Sequence, residues 1–201
     1  MKKQIDKYAK RYGKALKETG FSDTKAMTKS YKDRLRTMYD SAAFKAHDIY
    51  PTMNVELVYA VIAMCLELKE KGLSDKKIMD FTDTAFKTRK KVVAILEKTI
   101  DVLPNAYEIV EKWNIDDHNK RVKDRSITYD YFEVGADRIE YSIGRCMYVR
   151  MFEYYGIKSL CKIFCNTDIS AYNNLTRNVK FTRYSDLSDG KCCHDLIERR
   201  Q

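Results

Sequence analysis

The strongest constraint on the fold is a change of hydrophobic period after the first 126 residues. Before it, apolar residues recur three or four apart, as at Ile5, Tyr8 and Tyr12, which is typical of amphipathic helices. After it, Ile127–Val134 and Arg138–Arg145 alternate and are rich in β-branched and aromatic residues, which predicts a β-hairpin. Helices followed by strands predict an α+β fold, with an N-terminal helical layer packed on a small C-terminal antiparallel sheet.

The two parts are expected to form one domain. A chain of 201 residues can bury one substantial core. We expect a single α+β domain over residues 1–201, mainly helical in 1–126 and sheet-containing in 127–201. The segment 55–71 is apolar nearly all round and predicts the central buried helix. Two further strands, near 178–184 and 191–198, are expected to pair with each other. Between the central helix and the hairpin, one helix is expected after Ser74, another over 86–102, and a polar loop over 114–126.

The expected location of the chain rests on its apolar segments and on its first residues. No apolar run approaches the roughly 18 residues of a membrane span, and the best, Val55–Leu68, is broken by Glu56. The first residues contain no apolar segment of a signal peptide. We therefore expect a cytoplasmic protein with no membrane partner, whose six cysteines are reduced thiols. The oligomeric state is left open.

The net charge of +9 is spread along the whole chain, with its densest cluster at Lys87, Arg89, Lys90 and Lys91. No helix-turn-helix, RRM or zinc-finger spacing accompanies this charge, so solvated helix faces explain it better than nucleic-acid binding. A small anionic molecule is the expected partner, because a basic surface attracts anions.

Residues that could carry chemistry concentrate in the last third of the chain. Cys146 lies where a strand is predicted to become a helix, and a helix N-terminus lowers a thiol pKa, so Cys146 is a candidate nucleophile. Cys165 and Asp168 fall in one predicted turn. Asp168 is a candidate general base, and the alternative is an N-cap of the following helix. Cys146 itself has the alternative of a packing thiol.

A second group lies at the chain's end. Histidine is the side chain whose unperturbed pKa lies nearest neutrality, so His194 is a candidate for proton exchange. Asp195 alternates to the other face of the strand, so we expect it to pair with Arg145 or Arg183 rather than to orient His194. Arg183 offers a fork for a substrate carboxylate, with a structural ion pair as the alternative.

A zinc site is the rival interpretation of the same residues. Cys165, Cys192 or Cys193, His194 and Asp168 are ligand types that zinc accepts. No Cys-x-x-Cys or His-x-x-x-His spacing accompanies them, and adjacent cysteines in a strand point to opposite faces. We therefore expect no cofactor and keep zinc as the alternative.

The order of these signals resembles the L-2-amino-thiazoline-4-carboxylic acid hydrolase family. That family's pattern has a cysteine ending a strand, a Cys-x-x-Asp after the helices, and a glycine turn before a final Cys-Asp-Phe. The matching signals here are Cys146, Gly156, Cys165 with Asp168, Phe181 with Arg183, Leu187 with Gly190, and the terminal His194-Asp195. The helix over Val58–Leu68 and the segment up to Lys76 are also similar to the family's N-terminal half.

The end of the pattern departs from the family. With Gly190 aligned, the final Cys-Asp-Phe falls on His194, Asp195 and Leu196. A slip of one residue puts Cys193 at the cysteine position instead, with His194 where the aspartate belongs. Both alignments stay open at the level of sequence, as does the question of which of Cys193 and His194 faces inward.

The resemblance implies a hydrolase that acts on a non-peptide cyclic carbon–nitrogen bond. It would open a small cyclic amidine or isothiourea, such as L-2-amino-thiazoline-4-carboxylate, to N-carbamoyl-cysteine. The catalytic candidates are Cys146, Cys165, Asp168 and His194, and the substrate-binding candidates are Arg183, Asp195 and Cys193. The alternative is a non-catalytic domain of the same fold that binds or senses a small ligand.

Overall fold

The computed structural model describes residues 2–200, apart from the side chains of residues 88–91. The helices of the N-terminal part are α1 (Lys2–Glu18), α2 (Thr24–Asp40), α3 (Ala42–Ala46), α4 (Thr52–Glu70), α5 (Asp75–Asp101) and α6 (Ala106–Lys123). The C-terminal part comprises β1 (Ile127–Val134), β2 (Arg138–Cys146), α7 (Met147–Tyr154), a 3₁₀ turn (Lys158–Cys161), α8 (Lys162–Tyr172), β3 (Val179–Ser185) and β4 (Cys193–Arg199). The predicted α+β fold is confirmed.

The strands form one antiparallel sheet in the order β1-β2-β4-β3. The hairpin of β1 with β2 and the pairing of β3 with β4 are as predicted. The last strand, β4, also pairs with β2 and therefore lies inside the sheet. Residues of β4 thus have a strand neighbour on both sides, which fixes the direction of each side chain.

The central helix of the core is α4, as its apolar composition predicts. Its residues from Val58 to Cys65 are at most 2% exposed. Two buried tyrosines of α2 hold it, since Tyr31 donates a hydrogen bond to the carbonyl of Ala60 at 3.1 Å and Tyr39 donates one to that of Glu56 at 2.9 Å. The helix begins directly after Pro51, which is its N-cap residue; the residue before a proline avoids the helical region, so the preceding segment does not continue into α4.

Three boundaries differ from the sequence-based expectation. Two helices were expected within α5, which is continuous over Asp75–Asp101. The polar segment 114–126 was expected to be a loop, yet α6 continues through it to Lys123. Its exposed side carries i,i+4 ion pairs, such as Lys112 with Asp116, that stabilise a helix without an apolar face there. The turn expected at Cys165–Asp168 lies inside α8.

Helices α6 and α8 cover the inner face of the sheet. A buried apolar cluster joins them to β2, β3 and β4 through Tyr107, Val110, Ile139, Leu175, Val179 and Ile197, with Tyr172 packed against it. This packing brings polar residues from two distant parts of the chain to one face of the sheet.

The described residues contain no helix long and apolar enough to cross a membrane. Of the basic cluster noted in the sequence, Lys87 pairs with Glu18 at 2.7 Å. The side chains of Arg89, Lys90 and Lys91 lie outside the described part of the chain.

Candidate functional site

Alternation in β2 and β4 decides which residues reach the inner face of the sheet. Tyr141 lies opposite Asp195, and Ile143 lies opposite Cys193. All four of these side chains point toward the helices, and Asp195 is fully buried. The inner face therefore carries an acid and a thiol among apolar and aromatic neighbours.

Arg183 hydrogen-bonds three other residues on this face. Its Nε and Nη2 donate to the two carboxylate oxygens of Asp195, each at 2.7 Å. Its Nη1 donates to the carbonyl of Cys165 at 2.7 Å, and Nη2 also donates to Asp168 at 3.1 Å. Burial alone would lower the pKa of Arg183, but the two carboxylates raise it above its ordinary value. Of the two partners expected for Asp195, the structure selects Arg183, which ties α8 to the sheet.

The Asp168 carboxylate is surrounded by many protein atoms, yet part of its side chain is exposed to solvent. Burial raises its pKa above the ordinary value, and the neighbouring Arg183 opposes that rise only in part. Yet 55% of its side chain is accessible to solvent. We infer from these two properties that the Asp168 carboxylate borders a concave, water-accessible part of the surface, which we call a recess. A raised pKa brings it closer to the range in which a carboxylate works as a general base.

The thiol of Cys146 lies in the same place. Cys146 ends β2 and is the residue before α7, as the change of period predicts. Burial raises the pKa of this thiol to about 11, although backbone N–H groups of Val149 and Tyr148 hydrogen-bond the sulfur and lower it. The expected lowering by the helix N-terminus is therefore outweighed by desolvation. The charges of Cys165 and Asp168 raise the Cys146 pKa further.

The recess has aromatic walls. Tyr129 lies within electrostatic reach of both Cys146 and Asp168, and Tyr141 and Tyr172 lie within reach of Asp168. We define the inner-face recess by five residues: Tyr129, Tyr141, Cys146, Asp168 and Tyr172. Burial raises the pKa of each tyrosine, so each hydroxyl stays a neutral hydrogen-bonding group at physiological pH.

Further thiols lie beside the recess. All six cysteines are free. The side chain of Cys161 is hydrogen-bonded to that of Cys165, which raises the Cys161 pKa. Cys193 accepts a hydrogen bond from the Leu187 N–H at 3.3 Å, and burial raises its pKa to about 12. The structure thus shows that Cys193, rather than His194, faces inward.

His194 lies on the outer face of the sheet. Its Nε2 is 2.8 Å from Oε1 of Glu140, and its ring lies near those of Tyr131 and Tyr184. This position corrects the sequence-based grouping, which placed His194 with Cys146, Cys165 and Asp168. Because Asp195 points inward, its neighbour His194 must point outward.

The zinc alternative requires the same residues to converge. Over residues 2–200, side chains of 88–91 apart, no group of three or more His, Cys, Asp or Glu is placed to hold a metal ion. The four sequence candidates are divided, since Cys165 and Asp168 lie on α8 beneath the sheet and His194 lies above it.

The family comparison agrees with this architecture. The model of the L-2-amino-thiazoline-4-carboxylic acid hydrolase family matches residues 53–196. The chain belongs to this family. The matched span covers most of the chain and includes every residue of the inner-face recess. Comparisons with curated proteins and with solved structures found no match.

The two alignments of this hydrolase family's final motif differ in what they assign to the inner face. With Gly190 aligned, Asp195 takes the family's aspartate position, and its carboxylate is buried against Arg183. With the one-residue slip, Cys193 takes the cysteine position and also faces inward. In either alignment the His194 side chain lies on the outer face of the sheet, outside the recess.

Several residues in or next to the recess were not predicted in this family member. They are Asp117 and Arg121 of α6 and the tyrosines Tyr129, Tyr141, Tyr148 and Tyr172. The i,i+4 spacing of Asp117 and Arg121, with Arg121 Nε donating to Asp117 at 3.1 Å, was an available signal. It was missed because this polar segment was expected to be a loop.

Proposed function

We propose that this chain is a hydrolase that opens a small cyclic isothiourea bearing a carboxylate, such as L-2-amino-thiazoline-4-carboxylate, to N-carbamoyl-cysteine. One observation supports the proposal: the half-exposed Asp168 carboxylate lies close enough to the Cys146 thiol for its charge to raise that thiol's pKa, in a chain of this hydrolase family. A cytoplasmic location and the absence of a cofactor stay predictions.

The overall reaction adds one water to the ring. The water oxygen becomes the carbonyl oxygen of a urea at the former C2. The bond from C2 to the ring sulfur breaks and both C2–N bonds are kept, so for this substrate the cleaved bond is carbon–sulfur rather than the cyclic carbon–nitrogen bond that the resemblance implies. One hydrogen of the water ends on the released sulfur and the other on nitrogen. The catalyst must therefore supply a nucleophile and a group that moves a proton from it to the leaving sulfur.

In the proposed mechanism Asp168 acts as base and Cys146 as nucleophile. Because burial raises the pKa of Cys146 to about 11, its thiol is protonated at neutral pH and needs a base before it can attack. Asp168 accepts that proton, the Cys146 sulfur bonds to C2, and the ring sulfur leaves and takes the proton. Water then attacks C2, the urea forms, and the Cys146 thiol is restored. Cys165, beside both groups, is the second proposed proton donor.

Arg183 and Asp195 take a positioning role in this proposal rather than the substrate-binding role predicted from sequence. Among the described residues, Arg183 already donates four hydrogen bonds to protein acceptors. It holds Asp168 toward the recess and keeps α8 on the sheet. Cys193, buried beside Arg183, packs under the recess.

The test is turnover of both enantiomers of 2-amino-thiazoline-4-carboxylate by purified protein. Product is followed by its new free thiol and by a mass increase of one water. We expect Cys146→Ala and Asp168→Asn each to lower kcat/KM by about 10³-fold or more. The matched control is Cys65→Ala, which removes a buried thiol of α4 far from the recess and should retain activity. Failure of the wild type to open any ring in the panel, or wild-type rates in both site variants, would contradict the proposal.

A second candidate is a domain that binds a small ligand without turning it over. The protonation of Cys146 favours it, because a thiol with a pKa of about 11 is a weak nucleophile unless a base assists it. Calorimetry followed by mass spectrometry of the recovered ligand separates the two functions: a binding domain gives heat of binding and returns the ring with unchanged mass, whereas a hydrolase returns N-carbamoyl-cysteine.

A further inference from the structure

A second guanidinium, that of Arg121, lies close to two tyrosines near the recess, Tyr148 and Tyr129. Arg121 lies in the last turns of α6, and only 21% of its side chain is exposed. Its Nε donates to both oxygens of Asp117, at 3.1 and 3.2 Å. Its Nη1 donates to the Tyr148 hydroxyl at 3.2 Å. These contacts fix the plane of the guanidinium.

The hydrogen-bonding capacity of Arg121 is only partly used. Within the described part of the chain, no protein acceptor is hydrogen-bonded to its Nη2. Arg183 differs, because all three of its nitrogens donate to protein. The outer edge of Arg121, formed by Nη1 and Nη2, therefore retains N–H groups for an acceptor that is not part of the protein.

Tyr148 connects this arginine to the reacting thiol. Its hydroxyl accepts the hydrogen bond from Arg121, and its backbone N–H hydrogen-bonds the sulfur of Cys146. Tyr129 lies within electrostatic reach of Arg121, Cys146 and Asp168. The Tyr148 ring also stacks on Phe164 of α8 at 4.9 Å between ring centres, one residue before Cys165. Arg121 of α6 and Asp168 of α8 therefore lie on different helices around the same group of aromatic side chains as Cys146.

We propose that Arg121 binds the carboxylate of the substrate and makes the recess specific for carboxylate-bearing rings. This inference rests on the function proposed above. A guanidinium edge and a carboxylate form parallel charge-assisted hydrogen bonds, which fix both distance and orientation. With the carboxylate held at Arg121, the amidine carbon of a small ring lies between that anchor and Asp168, where Cys146 can attack it.

Asp117 and Tyr148 preorganise this anchor. Asp117 holds Nε and Tyr148 holds one N–H of Nη1, so the orientation of Nη2 and of the remaining Nη1 hydrogen is fixed. Burial would lower the pKa of Arg121, yet Tyr148 and Asp117 raise it above its ordinary value. The arginine is therefore charged at every pH at which the enzyme is assayed.

The test compares two substrates on three variants. The substrates are 2-amino-thiazoline-4-carboxylate and 2-amino-2-thiazoline, which lacks the carboxylate. We expect Arg121→Gln to lower kcat/KM about 10²-fold for the first substrate and by less than about threefold for the second. Arg121→Lys should recover part of the loss, because it restores the charge but not the fork. The control Arg199→Gln removes an arginine that also holds α6, through Glu108, and should leave the ratio between the substrates unchanged.

Equal losses on both substrates, or no loss on the first, would overturn the anchor. Thermal melts of each variant identify any that fails to fold, and Tyr148→Phe then serves as the second variant. It removes a partner of the guanidinium and should raise KM for the carboxylate substrate only.

A binding measurement separates this inference from the proposed function. L-Thiazolidine-4-carboxylate carries the carboxylate but no amidine carbon to attack. If wild type binds it, Arg121→Gln does not, and no ring is opened, the hydrolase proposal fails and the anchor stands. If wild type opens the ring and Arg121→Gln binds this analogue equally well, the anchor fails and the hydrolase stands. Absence of both binding and turnover in wild type overturns both.

Discussion

His194 and Asp195 are neighbours in β4, yet they bind partners on opposite faces of the sheet. The Asp195 carboxylate is buried against Arg183 under the helices, whereas His194 contacts Glu140 on the outer face. β4 is paired on both sides, so neither side chain can exchange faces without shifting the register of the whole strand. This relationship separates the recess from the histidine that sequence grouped with it.

Replacement of His194 by alanine should therefore leave ring opening nearly intact. Its imidazole faces Glu140 and solvent, and the strand between it and Asp168 is intact without it. We expect kcat/KM of His194→Ala to remain within about threefold of wild type, with Asp168→Asn as the inactive comparison. A loss of two orders of magnitude at His194 would place the reaction on the outer face instead.

Replacement of Asp195, unlike that of His194, should destabilise the protein, because Asp195 belongs to a buried ion pair. Asp195→Ala removes the bidentate partner of the buried Arg183 guanidinium and leaves it only the half-exposed Asp168 carboxylate and the Cys165 carbonyl, so we expect a loss of about 3 kcal/mol of unfolding free energy. The control is Glu198→Gln, because Lys180 and Glu198 form a cross-strand pair at 2.9 Å between the same two strands, but in solvent. Such exposed pairs contribute about 0–1 kcal/mol. Urea unfolding measures both; similar costs for the two variants would contradict the structural role of Asp195.

The sequence predicts elements and side-chain directions well because these depend on neighbours along the chain. Cys146 was placed at a strand-to-helix junction by a change of period, and Asp195 was assigned a face different from His194 by alternation. The approach of Arg121 to Cys146 could not be predicted in this way. It depends on how α6 crosses the sheet, and the polar composition of that helix resembles a loop.

The pKa of Cys146 also depends on tertiary packing that the sequence does not reveal. A helix N-terminus and burial act on this thiol in opposite directions, and sequence reveals only the first. Their balance follows from packing by Tyr148, Cys165 and their neighbours, which places the pKa at about 11. The chemistry of the residue was therefore less predictable than its position.

Alkylation of Cys146 should follow this raised pKa. A thiol of pKa about 11 is only ~10⁻³ thiolate at pH 8, so native protein should react far more slowly at Cys146 than an unperturbed cysteine does. Because the Asp168 charge raises this pKa, Asp168→Asn should move the midpoint down. Iodoacetamide rates resolved by peptide mass across pH 7–11 measure both midpoints. A wild-type midpoint near 8.5, or an upward shift in the variant, would contradict the assignment.

The charged Asp168 carboxylate should lower the stability of the native protein at neutral pH. Its native pKa is raised by burial, so the native state binds this proton more tightly than the unfolded state, whose pKa is about 3.9. Stability must then fall as pH rises from about 3.9 through the raised native pKa. Asp168→Asn removes the charge, and we expect an inactive protein whose Tm at pH 7 equals or exceeds that of wild type. The advantage should shrink toward pH 4.

Asp75 provides the control of opposite sign for that experiment. Hydrogen bonds from Lys69 and Ser159 lower its pKa, so its contribution is present above the unfolded pKa and is lost as pH falls through the native one. Asp75→Asn should therefore lower Tm at pH 7 and approach wild type in acid. Thermal melts of both variants from pH 4 to pH 8 give two trends that run in opposite directions. If Asp168→Asn instead follows the trend of Asp75→Asn, the Asp168 carboxylate is stabilised by its surroundings and cannot be the base that activates Cys146.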